Sequence, residues 1–121
     1  MNHHAEQKRR ILIVDDETEA TRLLKLLLER KRPYEVKVEN DSRRALSVTQ
    51  AFKPELILLD VIMPHLDGGD VARQIRAVEA LKETPIIFIS AIAQPIPGYP
   101  FLSKPAPLEK VLASIEENLP L

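Results

Sequence analysis

Apolar residues in this chain gather into short runs separated by amphipathic stretches. Ile11-Leu12-Ile13-Val14, Leu56-Ile57-Leu58-Leu59 and Ile86-Ile87-Phe88-Ile89 are uninterrupted, the pattern of parallel strands covered on both faces. Tyr34, Val36 and Val38 alternate with Glu35, Lys37 and Glu39, so this strand has one wet face or lies at an edge. A weaker last strand falls at 99–103. Between the strands the apolar period becomes helical. Thr18 to Lys31 places Ala20, Leu23, Leu24, Leu27 and Leu28 on one inward face, with Glu17 and Glu19 at its start and Arg30, Lys31 and Arg32 at its end, as the helix dipole favours. Pro33 stops it. A second helix, capped by Asp41 or Ser42, turns Ala45, Val48, Thr49 and Phe52 inward and ends before Pro54. A third opens at Asp67 or Gly68 and runs to about Ala80, with Val71, Ile75 and Val78 inside. The last has Pro107 in its first turn and carries Leu108, Val111, Leu112, Ile115 and Leu119 as one stripe before Pro120.

This alternation predicts an α/β fold: a doubly wound, five-stranded parallel sheet of order 2-1-3-4-5, flavodoxin-like. One crossover is odd. Between the fourth and fifth strands lie only Ala91-Ile92-Ala93-Gln94-Pro95-Ile96-Pro97-Gly98, with Pro100 following. A βαβ crossover normally takes at least about 10–12 residues, and Pro95 and Pro97 break helix. The fourth helix of the usual arrangement is therefore expected to be missing or vestigial, with at most one helical turn in an otherwise extended loop.

Composition narrows the class. The chain has 121 residues, 45% hydrophobic and 29% charged, which suits a single globular domain. Residues 1–8 read as a flexible arm, His3-His4 included, and 9–121 as the domain. The net charge of −1 gives no basic face for nucleic acid. No apolar run approaches membrane-spanning length and no signal peptide is visible, so the expectation is a cytoplasmic protein with no membrane partner. There are no cysteines, which excludes disulfides, thiolate metal sites and cysteine nucleophiles.

The chemistry stands where the strands end. Asp15-Asp16, Asp60, Ser90 and Lys104 each follow an apolar run. In open α/β sheets, ligands sit outside the carboxyl ends of the strands. Singly, Asp15 or Asp16 could cap a helix, Asp60 end a strand, Ser90 stabilise a turn and Lys104 be a solvated lysine. Together, three carboxylates, a hydroxyl and a lysine at one edge point to a metal-assisted phosphate site. A carboxylate can attack phosphorus to form an acyl phosphate, and Asp60 is the candidate because it ends the strand expected to be the most buried. Crowded carboxylates repel an anionic phosphoryl group, and a hard divalent cation such as Mg²⁺ relieves the repulsion.

Asp60-Val61-Ile62-Met63-Pro64-His65-Leu66-Asp67-Gly68, taken with Asp15-Asp16, Ser90 and Lys104-Pro105, resembles the receiver domain of two-component response regulators, over residues 9 to 119. The resemblance implies that Asp60 is the phosphoacceptor and that Mg²⁺ is the cofactor. Asp16 and Asp60 would ligate the metal directly, Asp15 through water, and Ile62 through its backbone carbonyl. Ser90 and Lys104 would contact the phosphoryl oxygens, and Phe101 would be the switch aromatic on the last strand. Asp67 and Met63-Pro64 would be structural, and His65 a surface residue. The implied partners are a histidine kinase or phosphotransfer protein and an unidentified downstream protein. The implied activity is a switch rather than an enzyme, with at most autophosphorylation from small donors and slow self-dephosphorylation.

Two departures stand out. The missing crossover helix removes part of the family's usual output face, so output through the shortened 91–98 segment is expected to be atypical. Ile62 and Ile92, two residues beyond Asp60 and Ser90, occupy positions that flank the attacking water in the family. Neither can orient water, so slow hydrolysis of phospho-Asp60 is expected. The competing readings are a receiver-like adaptor that no longer needs phosphate and a Mg²⁺-dependent phosphohydrolase with an aspartyl nucleophile. The intact acceptor set argues against the first, and the lack of a further general acid or substrate segment against the second.

Overall fold

Five parallel strands form the sheet: β1 (Arg9–Val14), β2 (Tyr34–Glu39), β3 (Leu56–Asp60), β4 (Ile86–Ser90) and β5 (Phe101–Ser103). Their order is β2-β1-β3-β4-β5, the order expected from the sequence. A computed structural model describes residues 7–91 and 94–121. The helices are α1 (Thr18–Lys31), α2 (Ala45–Phe52), α3 (Gly68–Arg76) and α4 (Leu108–Asn118). Every residue of β3 and β4 is buried, whereas the first four of β2 alternate buried and exposed. Strands buried on both faces shed polar side chains until the chain leaves the sheet, which is why the polar residues collect at the ends.

Two cores flank the sheet. Leu12, Val14, Ile57, Leu59 and Phe88 pack with α2 and α3, while Ile11, Ile13, Leu58 and Ile87 pack with Leu28 of α1 and Val111, Leu112 and Ile115 of α4. Alternate residues of each strand thus feed opposite cores.

The helices differ from the sequence reading in three places. In α1 the buried residues are Thr21 and Leu28. Ala20 is exposed, and Leu23 is 57% exposed. The helix is turned about one position from the expected face because a polar knot holds Thr21 inward. Asn40 Nδ2 donates to Thr21 Oγ1 at 3.1 Å and to the Asp15 carbonyl at 2.6 Å. In the second crossover Asp41 is the cap, accepting from the Arg43 N–H, but of a 3₁₀ turn over Ser42–Arg44 that precedes α2. The third helix ends at Arg76 rather than Ala80. Val78 is extended (φ −94°, ψ 120°), and a 3₁₀ turn over Glu79–Leu81 swings Leu81 into the core.

β5 is shorter than the expected 99–103, and among the described residues no helix lies between β4 and β5. Ile96 to Tyr99 instead form a tight turn. Tyr99 N–H donates to the Ile96 carbonyl at 3.2 Å and Gly98 has φ +87°, as expected of proline followed by glycine at the turn centre. Ile96 and Tyr99, both half-buried, pack against the α2–α3 core and so do part of a helix's covering work.

Gly68 has no room for a side chain. A Cβ on it would overlap the Asp60 carbonyl oxygen and lie 2.9 Å from Val61 Cα and 3.1 Å from Phe88 Cε1. α3 can therefore start directly against the end of β3 only with glycine here. Gly68→Ala is expected to cost about 1–3 kcal/mol by overpacking, read from equilibrium urea unfolding; wild-type stability would show that the junction has slack.

Candidate functional site

Four strand ends converge at the carboxyl edge of the sheet. Asp15 and Asp16 follow β1, Asp60 and Ser90 close β3 and β4, and Lys104 follows β5. Asp15, Asp60 and Ser90 are almost wholly buried, at 4%, 5% and 1% exposed, while Asp16 faces solvent. Carboxylate oxygens of Asp15, Asp16 and Asp60 all lie within 4.8 Å of one another. Oxygen donors grouped so closely, two of them on buried carboxylates, fit a hard divalent cation.

Lys104 is the positive partner. Its Nζ donates to Asp15 Oδ2 at 2.7 Å and stands 3.6 Å from Asp60 Oδ2 and 3.4 Å from Glu17 Oε1. Its backbone is tied to the same edge, since Lys104 N–H donates to the Ser90 carbonyl at 2.8 Å. The following Lys104–Pro105 bond is cis. Asp15 Oδ1 accepts the Glu17 N–H at 3.0 Å, and Asp60 Oδ1 accepts the Val61 N–H at 2.8 Å. Both buried carboxylates thus keep one oxygen on the backbone and turn the other toward Lys104.

The electrostatics follow from burial. Loss of solvent, with the Asp15 charge adding to it, pushes the Asp60 carboxyl up from 3.8 to about 6, against the opposing pull of Lys104 and the Val61 N–H. Burial works against the Lys104 ammonium, but the hydrogen bond and charge of Asp15, with Asp60 and Glu17, outweigh it and raise its pKa. Near neutrality a proton therefore leaves Asp60 at a cost in folding free energy, which a nearby cation would recover.

Several supporting residues had weak signals or none. Glu17 continues the acidic run Asp15-Asp16 and reaches Lys104. Asn40 stands one residue past β2 and fixes the Asp15 backbone. Ser42 is buried and pins the loop after Asp60: its Oγ donates to the Pro64 carbonyl at 2.7 Å and accepts the Leu66 N–H at 3.0 Å. Asp67 caps α3 in a reciprocal box with Asp70, as its expected structural role requires. His65 is exposed, and its left-handed backbone (φ +75°) turns the loop. Ile62 is 57% exposed. Ile92 lies outside the described residues, as do His3 and His4. Phe101 is half-buried, pairs in register with Phe88 and packs on the α2–α3 core.

Fold and site define a flavodoxin-like α/β domain with a carboxylate cluster and a lysine at the sheet's carboxyl edge. A family model described as "Response regulator receiver domain" matches residues 11–116. The chain belongs to that family, whose members are in general phosphoacceptor switches rather than enzymes. It is 35% identical over 118 residues to the nisin biosynthesis regulatory protein NisR of Lactococcus lactis, covering 91% of this chain and 50% of the relative. Response regulator MprA of Mycolicibacterium vanbaalenii is 34% identical with the same coverages. The chain therefore spans about half the length of these curated relatives. Among solved structures, the chemotaxis protein CheY4 of Vibrio cholerae superposes with a TM-score of 0.86 at 26% identity, covering 93% of this chain and 100% of that one. The response regulator TrrA of Thermotoga maritima, solved with Mg²⁺ and beryllofluoride, gives a TM-score of 0.79 at 26% identity, covering 90% and 97%. No helix among the described residues is long and apolar enough to cross a membrane.

The raised Asp60 pKa makes a signed prediction. The folded carboxyl keeps its proton to higher pH than the unfolded one, so the penalty for ionising it is absent below about pH 4, grows between pH 4 and 6, and is full above 6. Asp60→Asn should stabilise the metal-free protein by roughly 1–3 kcal/mol at pH 7 and by little at pH 4. Urea unfolding of both proteins at the two pH values measures this; a pH-independent difference would refute it.

Proposed function

We propose that this chain is a phosphorylatable receiver domain, residues 9–121, which accepts a phosphoryl group on Asp60 from a histidine kinase or phosphotransfer protein in a Mg²⁺-dependent reaction. The observation that carries this reading is the placement of Asp60 beside Asp15, Asp16 and Lys104 at one sheet edge. The carboxylates of Asp15, Asp16 and Asp60, with the Ile62 carbonyl, would hold Mg²⁺. The ion would supply positive charge to the phosphoryl oxygens.

The residues of the chain do the rest. Asp60 Oδ2, the oxygen not engaged by Val61, attacks phosphorus, and the bond to the donor breaks. Lys104 neutralises charge on the phosphoryl oxygens and Ser90 donates its hydroxyl to another. Phosphoryl transfer depends mainly on positioning and charge neutralisation, so so small a set suffices. Ser90 moving toward the phosphoryl group would free room for Phe101, whose ring carries no hydroxyl to strand when it turns inward. Output would pass through the 91–98 segment in an unusual way, because no helix bears that surface among the described residues.

A protein donor is favoured by an apolar groove beside the site, lined by Ala20, Leu23, Leu27, Pro105 and Leu108 and reaching Asp15 and Lys104. Exposed apolar surface of this kind marks interaction sites. The near-neutral balance of charge supports partners other than nucleic acid for this domain.

Incubation with acetyl phosphate and Mg²⁺, followed by intact-mass analysis, should show one added phosphoryl group in the wild type and none in Asp60→Asn or without Mg²⁺. An adduct that survives in Asp60→Asn would place the acceptor elsewhere, and no adduct at all would favour the phosphate-independent adaptor. Decay of the adduct tests the second departure. Ile62 presents only an apolar side chain at the mouth of the site, so Ile62→Asn should speed phosphoryl loss severalfold. An unchanged decay rate would remove Ile62 from the explanation.

A further inference from the structure

Tyr99 sits at the head of a line of contacts that ends at the acceptor. Its ring meets Phe88 edge-on, with centroids 5.0 Å apart and planes at 82°, a favoured aromatic geometry. The Arg76 guanidinium lies over the same ring, 5.5 Å from its centroid. Arg76 Nη1 is buried and has no hydrogen-bond partner among the described residues, so the stack on Tyr99 is what it has in place of an acceptor. Phe88 is fully buried, and its Cε1 closes off the space where Gly68 would carry a side chain. Gly68 in turn abuts the Asp60 carbonyl, and its N–H donates to the Val61 carbonyl at 2.8 Å. At the other end, the Tyr99 N–H closes the Ile96–Tyr99 turn, whose Pro97-Gly98 tip is exposed.

We infer that Tyr99 is a positioning residue for Asp60, acting through Phe88 and Gly68, and that it couples the acceptor to the Pro97–Gly98 turn. The inference rests on the reading of Asp60 as the acceptor. Its physical basis is close packing without slack. Between Gly68 and Phe88 there is no room even for a methyl group, so a shift of Asp60 and the Gly68 backbone presses toward Phe88, and Phe88 has Tyr99 against its edge. Conversely, deleting the Tyr99 ring lets Phe88 relax into the vacated space and loosens the junction that aims the carboxylate. The shortened crossover makes this possible, since the loop that covers the sheet here is also the loop that carries the exposed turn.

The experiment is titration of the full chain with beryllofluoride in saturating Mg²⁺, read by amide NMR at Gly98 and at the site. Wild type and Tyr99→Phe, which keeps the ring, should bind alike. Tyr99→Ala should bind more weakly by about fivefold or more, and Arg76→Gln should weaken binding by less. The Gly98 amide should shift on saturation in wild type and Tyr99→Phe but not in Tyr99→Ala. If Tyr99→Ala fails to fold, Arg76→Gln and the Gly98 shift of the wild type decide. Wild-type affinity in Tyr99→Ala and Arg76→Gln, or a Gly98 amide indifferent to beryllofluoride in the wild type, overturns this inference alone. No binding by the wild type overturns the acceptor reading and this inference with it.

Discussion

Lys104 stands 2.7 Å from Asp15 and 3.6 Å from Asp60, and the rest of the site is organised around this shared positive charge. Two carboxylates almost without solvent, with a third beside them, would repel one another strongly if left alone. The lysine offsets part of that repulsion, but loss of solvent, with the Asp15 charge adding to it, still holds the Asp60 carboxyl above its ordinary range. The remaining imbalance is chemically useful. It favours a divalent cation, and a phosphoryl group delivered with that cation brings oxygens for Lys104 to bind. Under the proposed function, an incoming phosphoryl group would have to compete with these carboxylate contacts for Lys104. The bond to Asp15 is the shorter of the two, so Asp60 Oδ2 is held less closely by the lysine than Asp15 Oδ2 is.

This charge cluster is tolerable only because the sheet brings it to one edge and fixes it there. β3 and β4 are buried end to end, so their first polar side chains fall where the strands leave the sheet. The backbone does much of the aiming. Val61 and Glu17 N–H groups each hold one carboxylate oxygen, the Ser90 carbonyl holds the Lys104 N–H, and Asn40 holds the Asp15 carbonyl. Gly68 sets how close α3 can come. A side chain there would press on the Asp60–Val61 peptide itself.

Most of this was legible in the chain itself, for a definite reason. Uninterrupted apolar runs specify central parallel strands, and a polar residue immediately after such a run has one place to go. Strand order and the position of Asp60 follow from that logic, and the short, proline-broken crossover accounts for the lack, among the described residues, of a helix between β4 and β5. What escaped the sequence depends on contacts between distant segments. Periodicity put Leu23 inward on α1, but the Asn40–Thr21 hydrogen bond turns the helix the other way. Ser42 looked like a cap and is a buried pin for the loop after Asp60. Tyr99 was read only as part of a weak strand, because nothing local distinguishes a ring that completes a strand from one that plugs a gap in a core.

The short crossover ties these points together. A helix between β4 and β5 would shield Phe88 with its own side chains and present an outer surface whose shape is set by many residues. Here the same area of sheet is covered in part by Ile96 and Tyr99, the two ends of one tight turn. The residues that cover the sheet and those that form the exposed turn are then the same few, with little room for one to move without the other. Phe101, two positions on and in register with Phe88, belongs to the same aromatic group. The short crossover between Ser90 and Phe101 thus brings the core around Phe88 and the exposed Pro97–Gly98 turn together through a single ring, Tyr99.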